Sequence, residues 1–117
     1  MNRAFSSSTN PSGVRGVCPT DWHLSSDSEW HQLILFLDPS AVNDISKSLT
    51  AGGMLKGTGT THWINTEANV TNRSGFTALP AGRRTPLLNI FKYIGQMAEF
   101  WSATDFSSSG GGYIILF

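Results

Sequence analysis

The clearest hydrophobic periodicity in the chain lies between residues 27 and 37. Four apolar side chains recur there at the i, i+3, i+4 and i+7 spacing: Trp30, Leu33, Ile34 and Leu37. This spacing places them on one face of an α-helix, with polar residues on the opposite face. The pattern predicts an amphipathic helix over residues 27–37.

Polar residues mark both ends of this predicted helix. Ser26 precedes it and Glu29 follows three residues later, which is the spacing of a capping box. In a capping box each side chain accepts the backbone N–H of the other residue. Pro39 cannot continue the helix. A second, shorter helix is predicted after Ser40, with Gly52 as its C-terminal stop; its apolar face would comprise Val42, Ile45 and Leu49.

The rest of the chain changes from helical periodicity to loops and strands. Gly57–Ser74 is rich in Thr, Asn and Gly without a period, which predicts a long loop that is functional or anchored to the core. Phe76–Leu79 alternates as a strand does. Further strands are predicted over Asn89–Ile94, Met97–Ala103 and Tyr113–Phe117, with a tight hairpin turn at Gly95-Gln96 and a looser turn over Ser107–Gly112. Helices followed by a strand meander favour an α+β domain with two short helices on a small antiparallel sheet.

Composition narrows the classes of function. The chain has 117 residues, and Lys plus Arg equals Asp plus Glu at eight each, so its formal net charge is zero. A neutral chain without a basic cluster disfavours nucleic-acid binding, which depends on phosphate neutralisation. The longest apolar run is too short to span a membrane. Met1–Gly16 is polar and aperiodic, which predicts a flexible arm before a single domain over residues 17–117. No apolar core of a signal peptide is visible in this arm, so we expect the leader of a secreted parent protein to lie upstream of it.

Several sequence blocks occur in a distinctive order over nearly the whole chain. They are Val17-Cys18-Pro19-Thr20-Asp21-Trp22-His23-Leu24, Ser26–Trp30, Ala51–Lys56, Gly59–Trp63, Thr71-Asn72, Ser74–Gly82 and Phe100–Thr104. Together they resemble the Fibrobacter succinogenes major paralogous domain family. The resemblance implies a C-type-lectin-like fold and a secreted or surface protein of a Bacteroidetes-type bacterium.

The resemblance also implies features that this chain lacks. Members of the family usually have additional strands at both ends and a second cysteine near the C-terminus, whereas this chain has only Cys18. We therefore expect a domain that is either shortened at both ends or rearranged. We also expect Cys18 to be a buried, inert thiol in this chain.

Neither enzymatic nor metal chemistry is favoured by the motifs. Three histidines (His23, His31 and His62) lack a zinc-ligand spacing, and Gly52–Thr58 lacks the Gly-Lys-Ser/Thr ending of a phosphate loop, so its glycines predict a helix stop and a turn. Formylglycine-generating oxidases share the implied fold but use a pair of cysteines to hold copper. Calcium-dependent lectins of this fold usually carry Glu-Pro-Asn or Gln-Pro-Asp and Trp-Asn-Asp, which are absent here. We expect no cofactor and no metal.

Aromatic and arginine side chains are the remaining candidates. Trp22, Trp30 and Trp101 lie in the shared blocks and are expected in the core. His62-Trp63 is interpreted as a packed pair that anchors the long loop, although Trp63 is also the tryptophan best suited to be an exposed ring. Arg83 and Arg84 either cap an element or present a donor fork to a ligand. The predicted ligand-binding set is Trp63, Arg83, Arg84, Trp101 and Tyr113.

These observations favour a non-enzymatic extracellular module that recognises a protein or glycan through its loops and one sheet face. The step from fold to binding is an analogy. A purely structural surface domain of a larger secreted protein or lipoprotein is the alternative, and an oxidase of the formylglycine-generating type ranks third. The sequence leaves the ligand and the oligomeric state open.

Overall fold

The computed structural model describes residues 17–43, 48, 50–65, 69–85, 87–105 and 111–116. The predicted arm over residues 1–16 lies outside these ranges, as do Ile45, Leu49 and most of the predicted turn after Ser107. Within the described residues two α-helices are present, α1 (Asp27–Leu37) and α2 (Ala51–Leu55), with a 3₁₀ helix over Pro39–Asn43 between them. None of these helices has the length and hydropathy needed to cross a bilayer.

Four strands follow the helices in the described part of the chain. They are β1 (Arg83–Arg84), β2 (Phe91–Lys92), β3 (Ala98–Asp105) and β4 (Gly111–Leu116). β1 pairs antiparallel with β2, and β3 pairs with β4 in a second two-stranded sheet. The two helices and the antiparallel β1–β2 sheet confirm the α+β prediction, although the described strands form two sheets and not one.

The observed bounds of α1, Asp27–Leu37, confirm the predicted helix over residues 27–37. Trp30 and Ile34 are buried, while Leu33 and Leu37 are half-buried on the same stripe. The helix ends at Leu37, two residues before Pro39, and the chain continues into the 3₁₀ helix.

The second predicted helix is wrong at its C-terminal end. Gly52 and Gly53 lie inside α2 and do not stop it. Gly53 is needed there because its backbone approaches the 69–72 segment closely: a Cβ at this position would lie 2.4 Å from the Asn69 carbonyl oxygen. The Gly53 carbonyl in turn accepts a hydrogen bond from the Thr71 N–H at 2.9 Å. A close backbone contact, which the sequence alone does not reveal, accounts for the glycine at position 53.

The predicted hairpin of Asn89–Ile94 with Met97–Ala103 is also wrong in its pairing. The turn between the two segments exists, with the Gln96 N–H bonded to the Tyr93 carbonyl at 3.0 Å. However, β2 pairs with the earlier β1, in the register Arg83 with Lys92 and Arg84 with Phe91. Of Phe76–Leu79, only Ala78 forms a bridge, a parallel one with Lys56.

The fold divides into two compact units. The described residues of the first unit are 17–33, 100–105 and 111–114, and those of the second are 34–43, 48, 50–65, 69–85, 87–99 and 115–116. In the second unit the best-buried residues lie in α2 and in three segments that follow it: Ala51, Leu55, Trp63, Ala78, Met97 and Ala98. Ile34, Ala41 and Ala51 form a buried apolar cluster in the same unit.

Candidate recognition surfaces

Two titratable side chains of the first unit, His23 and Glu29, lie together at the start of α1, where Glu29 caps the helix with Ser26. The Ser26 N–H donates to Glu29 Oε2 at 2.8 Å, and the Glu29 N–H donates to Ser26 Oγ at 3.3 Å, which confirms the predicted capping box. His23 Nε2 lies 2.8 Å from the other oxygen, Glu29 Oε1. Ser26 and His23 therefore both bind one carboxylate. In a nucleophilic triad the imidazole would instead bond to the hydroxyl.

The two shifted carboxyl groups of the described residues are both stabilised in their ionised form. The hydrogen bond from the Ser26 backbone, supported by His23, lowers the pKa of Glu29 to about 2. Hydrogen bonds from the Ser40 and Ser48 hydroxyls lower the pKa of Asp38 to about 2. Ser48 Oγ also accepts the Ala51 N–H at 3.0 Å, so Asp38 helps to hold the start of α2. Such shifts suit structural anions, because a general acid or base at neutral pH needs a pKa nearer 7.

Strand β3 is fixed to the start of α1 in the first unit. The Ala103 N–H bonds to the Ser25 carbonyl at 2.8 Å, and the Asp27 N–H at the first turn of the helix bonds to Thr104 Oγ1 at 2.9 Å. Trp30 Nε1 donates to the Trp101 carbonyl at 3.4 Å. Trp30 also packs on Phe100, with ring centroids 5.5 Å apart. Helix and strand are thus joined by contacts on both sides of Trp101.

Trp101 is an exposed aromatic residue on this fixed strand. Its side chain is 62% exposed, whereas the next two residues, Ser102 and Ala103, are buried. The prediction that Trp101 and Trp22 belong to the core is wrong, since both are exposed; for Trp30 the prediction is confirmed. The contacts that order the Trp101 region involve its backbone carbonyl and its neighbours, which leaves the indole facing solvent.

Trp63 is buried, with 2% of its surface exposed. The prediction that it is an exposed ring and a ligand-binding residue is therefore wrong. Its Nε1 donates to the Ala78 carbonyl at 3.1 Å, and Lys56 Nζ lies 4.8 Å from the ring centroid. A buried indole with its N–H satisfied and its face covered is an anchor for the 57–65 loop. The interpretation of Trp63 as an anchor is therefore confirmed, whereas the prediction that His62 packs with it is wrong, because His62 is exposed.

Arg83 and Arg84 form β1 in the second unit. Arg83 is half-buried, and its guanidinium carbon lies 5.6 Å from the Tyr93 ring centroid. Its Nε atom is buried and makes no hydrogen bond to the described residues. Arg84 is exposed and lies opposite Phe91. Both arginines can present N–H donors to an anion.

The hairpin of β1 and β2 carries an apolar surface that the sequence analysis missed. Leu87 is 98% exposed and Leu88 is 65% exposed at its tip, and both Ile90 and Phe91 are also exposed. The sequence signal was a pair of leucines between Thr85-Pro86 and Asn89, residues that favour turns. Apolar side chains in a turn have no core to enter, so this combination indicates an exposed apolar tip.

The other predicted site residues can be placed only in part. Tyr113 lies in β4, and the description does not extend to its side chain. Cys18 is half-buried, where a buried thiol was expected. Within the ranges that the structure describes, no group of three or more His, Cys, Asp or Glu side chains is placed to hold a metal ion.

The fold and these surfaces define a small α+β domain with an exposed tryptophan on one strand and an apolar, arginine-bearing hairpin. The chain belongs to the Fibrobacter succinogenes major domain family, whose model matches residues 5–116. No curated protein and no solved structure gives a significant match.

Proposed function

We propose that this chain is a non-catalytic recognition module of C-type-lectin-like fold, displayed outside the cell, which binds a protein or glycan. The fold and the location are what the resemblance to the family implies, and the family model matches residues 5–116. The observation that carries the binding function is Trp101, a large ring exposed on a strand whose backbone is fixed by Trp30.

A rigidly held tryptophan suits recognition for a physical reason. Its flat apolar face can stack on a sugar ring or fill a protein pocket, and its N–H can pair with a polar group. Because hydrogen bonds from α1 already order the strand, little backbone entropy is lost on binding. Binding sites are enriched in Trp, Tyr and Arg, so Arg83, Arg84 and Tyr113 remain proposed ligand-binding residues. Trp63 is not among them because its ring is buried.

The absence of catalysis is part of the proposal. The carboxylates with shifted pKa values, Glu29 and Asp38, are held ionised by hydrogen bonds that begin helices. Perturbed groups at active sites more often have pKa values shifted toward their working pH. Both groups therefore support the view that these ionised carboxylates stabilise the fold.

A direct test is a glycan microarray and a panel of purified extracellular-matrix proteins probed with the full chain and with Trp101→Ala. Trp22→Ala is the matched control, because Trp22 is also an exposed tryptophan of the first unit. We expect saturable binding of at least one array member, about tenfold or more weaker in Trp101→Ala and unchanged in Trp22→Ala.

Two results would contradict the proposal. Absence of saturable binding across the arrays would favour a purely structural surface domain, and equal effects of the two substitutions would remove Trp101 from the binding surface. Extracellular display is tested separately, by protease digestion of intact producing cells followed by immunoblotting. Protection of the chain until lysis would contradict it.

A further inference from the structure

The β1–β2 hairpin places apolar residues at its tip. The Thr85 N–H bonds to the Ile90 carbonyl at 2.9 Å, and the Asn89 N–H bonds to the Thr85 carbonyl at 3.0 Å, which closes a short loop. Leu87, within that loop, is almost fully exposed, and Leu88 is largely so. Two adjacent exposed leucines at the tip form an apolar protrusion. A protrusion of this kind can be buried only by a partner into which the tip inserts.

Positive charge surrounds the base of the same hairpin. Arg83, Arg84 and Lys92 lie in its two strands, and the sequence contains no Asp or Glu from residue 68 to residue 98. The chain as a whole is neutral, so this segment carries a local excess of positive charge. Among the described residues no carboxylate forms an ion pair with these three side chains.

The strand register distributes these cations over both faces of the hairpin. Arg83 is directly opposite Lys92, so these two side chains share one face, while Arg84 and Phe91 share the other. Like charges directly opposite one another are destabilising. An external anion would relieve the repulsion between Arg83 and Lys92.

We propose that the hairpin binds an anionic lipid surface end-on. Leu87 and Leu88 enter the acyl-chain region, and the cations behind them contact headgroup phosphates. The exposed Phe91 lies directly opposite Arg84, at the level where the strands adjoin the tip, and an aromatic ring there suits the membrane interface. Apolar contact combined with basic residues is the usual basis of reversible membrane attachment.

The distribution of charge favours a lipid surface over a protein partner. A protein docking on one face of the hairpin would leave the cations of the other face unpaired. A planar anionic surface that meets the tip end-on is within reach of both faces at once. This inference goes beyond the proposed function, since it does not involve Trp101 and requires no protein or glycan ligand.

The test is co-sedimentation of the full chain with vesicles of equimolar phosphatidylcholine and phosphatidylglycerol, compared with vesicles of phosphatidylcholine alone. We expect the anionic vesicles to bind the chain about tenfold or more tightly, with binding that weakens as salt increases. Leu87→Ser/Leu88→Ser should lower binding to anionic vesicles about tenfold or more. Arg84→Gln/Lys92→Gln should lower it and flatten its salt dependence.

Phe36→Ser is the matched control, because Phe36 is exposed on α1, away in sequence from the hairpin. It should leave vesicle binding unchanged, and circular dichroism should show every variant folded. Equal binding to the two vesicle types would overturn the proposal, as would full binding by the double serine variant. Displacement by soluble glycerol phosphate would indicate headgroup binding without insertion, and would also overturn it.

A second copy of the chain is the other candidate to cover the tip. Sedimentation velocity distinguishes it: a dimer that Leu87→Ser/Leu88→Ser dissociates, without vesicle binding by the parent chain, would assign the tip to self-association and overturn the lipid proposal. Failure of the vesicle test leaves glycan or protein binding at Trp101 intact, because the two experiments use different variants and probes.

Discussion

Two segments of the second unit differ in the burial of their largest apolar side chain, Trp63 in the 57–65 loop and Phe91 in the β1–β2 hairpin. The 57–65 loop has no regular secondary structure, yet it buries Trp63 and satisfies the indole N–H with the Ala78 carbonyl. The β1–β2 hairpin has regular backbone pairing, yet it exposes Leu87, Leu88 and Phe91. Regular hydrogen bonding of the backbone and burial of side chains are therefore separate properties in this domain.

The difference arises from what each segment contacts. The 57–65 loop bonds to other parts of the unit at several points: the Gly57 N–H bonds to Ala78 and the Ile64 N–H bonds to Gly95, at 3.0 and 2.8 Å. The hairpin tip bonds within itself, between Thr85 and Ile90. An irregular segment with long-range partners contributes to stability, whereas a regular segment with local partners is available for binding.

Removing the Trp63 ring is the most severe test of this contrast. We expect Trp63→Ala to lower the free energy of unfolding by about 3–5 kcal/mol, because it leaves a cavity beneath the loop. Chemical denaturation followed by circular dichroism measures the loss. Trp22→Ala, at an exposed site, should cost less than about 1 kcal/mol. Similar losses in the two variants would mean that Trp63 is not the anchor of the loop.

Adding a methyl group at Gly53 tests another long-range contact of the second unit, the close approach of α2 to the 69–72 segment. Gly53→Ala would place a Cβ 2.4 Å from the Asn69 carbonyl oxygen, so the 69–72 segment must move. We expect a loss of about 1–3 kcal/mol in the same denaturation assay. Gly57→Ala is the control, since its Cβ would meet nothing nearer than 3.4 Å. A stability of Gly53→Ala equal to that of the control would contradict the close approach.

Acid should destabilise the protein by protonating the carboxylates at the helix starts. The 57–65 loop and the β1–β2 hairpin should not contribute to this loss of stability. The pKa of Glu29 is about 2 in the folded protein and 4.5 ordinarily, so the unfolded chain takes up this proton first. Stability from Glu29 is thus present above about pH 4.5 and lost as the pH falls toward 2. Residues 57–65 and 83–92 contain no Asp or Glu, so they add no carboxylate titration.

Denaturation at pH 7, 4 and 3 measures this dependence. Glu29→Gln should be less stable than the parent at pH 7 and should lose less stability on acidification. Asp38→Asn should behave in the same way, because hydrogen bonds from Ser40 and Ser48 lower the pKa of Asp38 too. Parallel pH curves for the parent and Glu29→Gln would show that this carboxylate does not contribute.

The hairpin tip should give the smallest effect on folding. Leu87→Ser/Leu88→Ser is expected to change the free energy of unfolding by no more than about 0.5 kcal/mol, since the exposed leucines lose no core contacts. Leu55→Ser, a Leu-to-Ser change at a fully buried site, should cost about 2–5 kcal/mol or more. A large loss in the tip variant would mean that these leucines pack against the fold and are not free to bind.

The start of α1 was predictable because all its determinants are local. The capping box, the apolar stripe and Pro39 act within one or a few helical turns, and the structure has the helix at Asp27–Leu37 as predicted. The α+β class and the family followed from patterns along the chain as well. Local hydrogen bonds and side-chain periodicity are encoded by neighbouring residues, so the sequence alone determined these features.

The tertiary structure decided which tryptophan is buried, which strands pair and which loop is exposed. Trp63 and Trp101 both lie in sequence blocks that the family shares, yet one ring is buried and the other exposed. The Trp63 indole bonds to the Ala78 carbonyl, whereas at Trp101 it is the backbone carbonyl that bonds to the Trp30 indole. β2 pairs with β1 and not with β3 for a similar reason, since several segments compete for each strand. Such choices depend on contacts between residues far apart in the chain, and no local pattern records them.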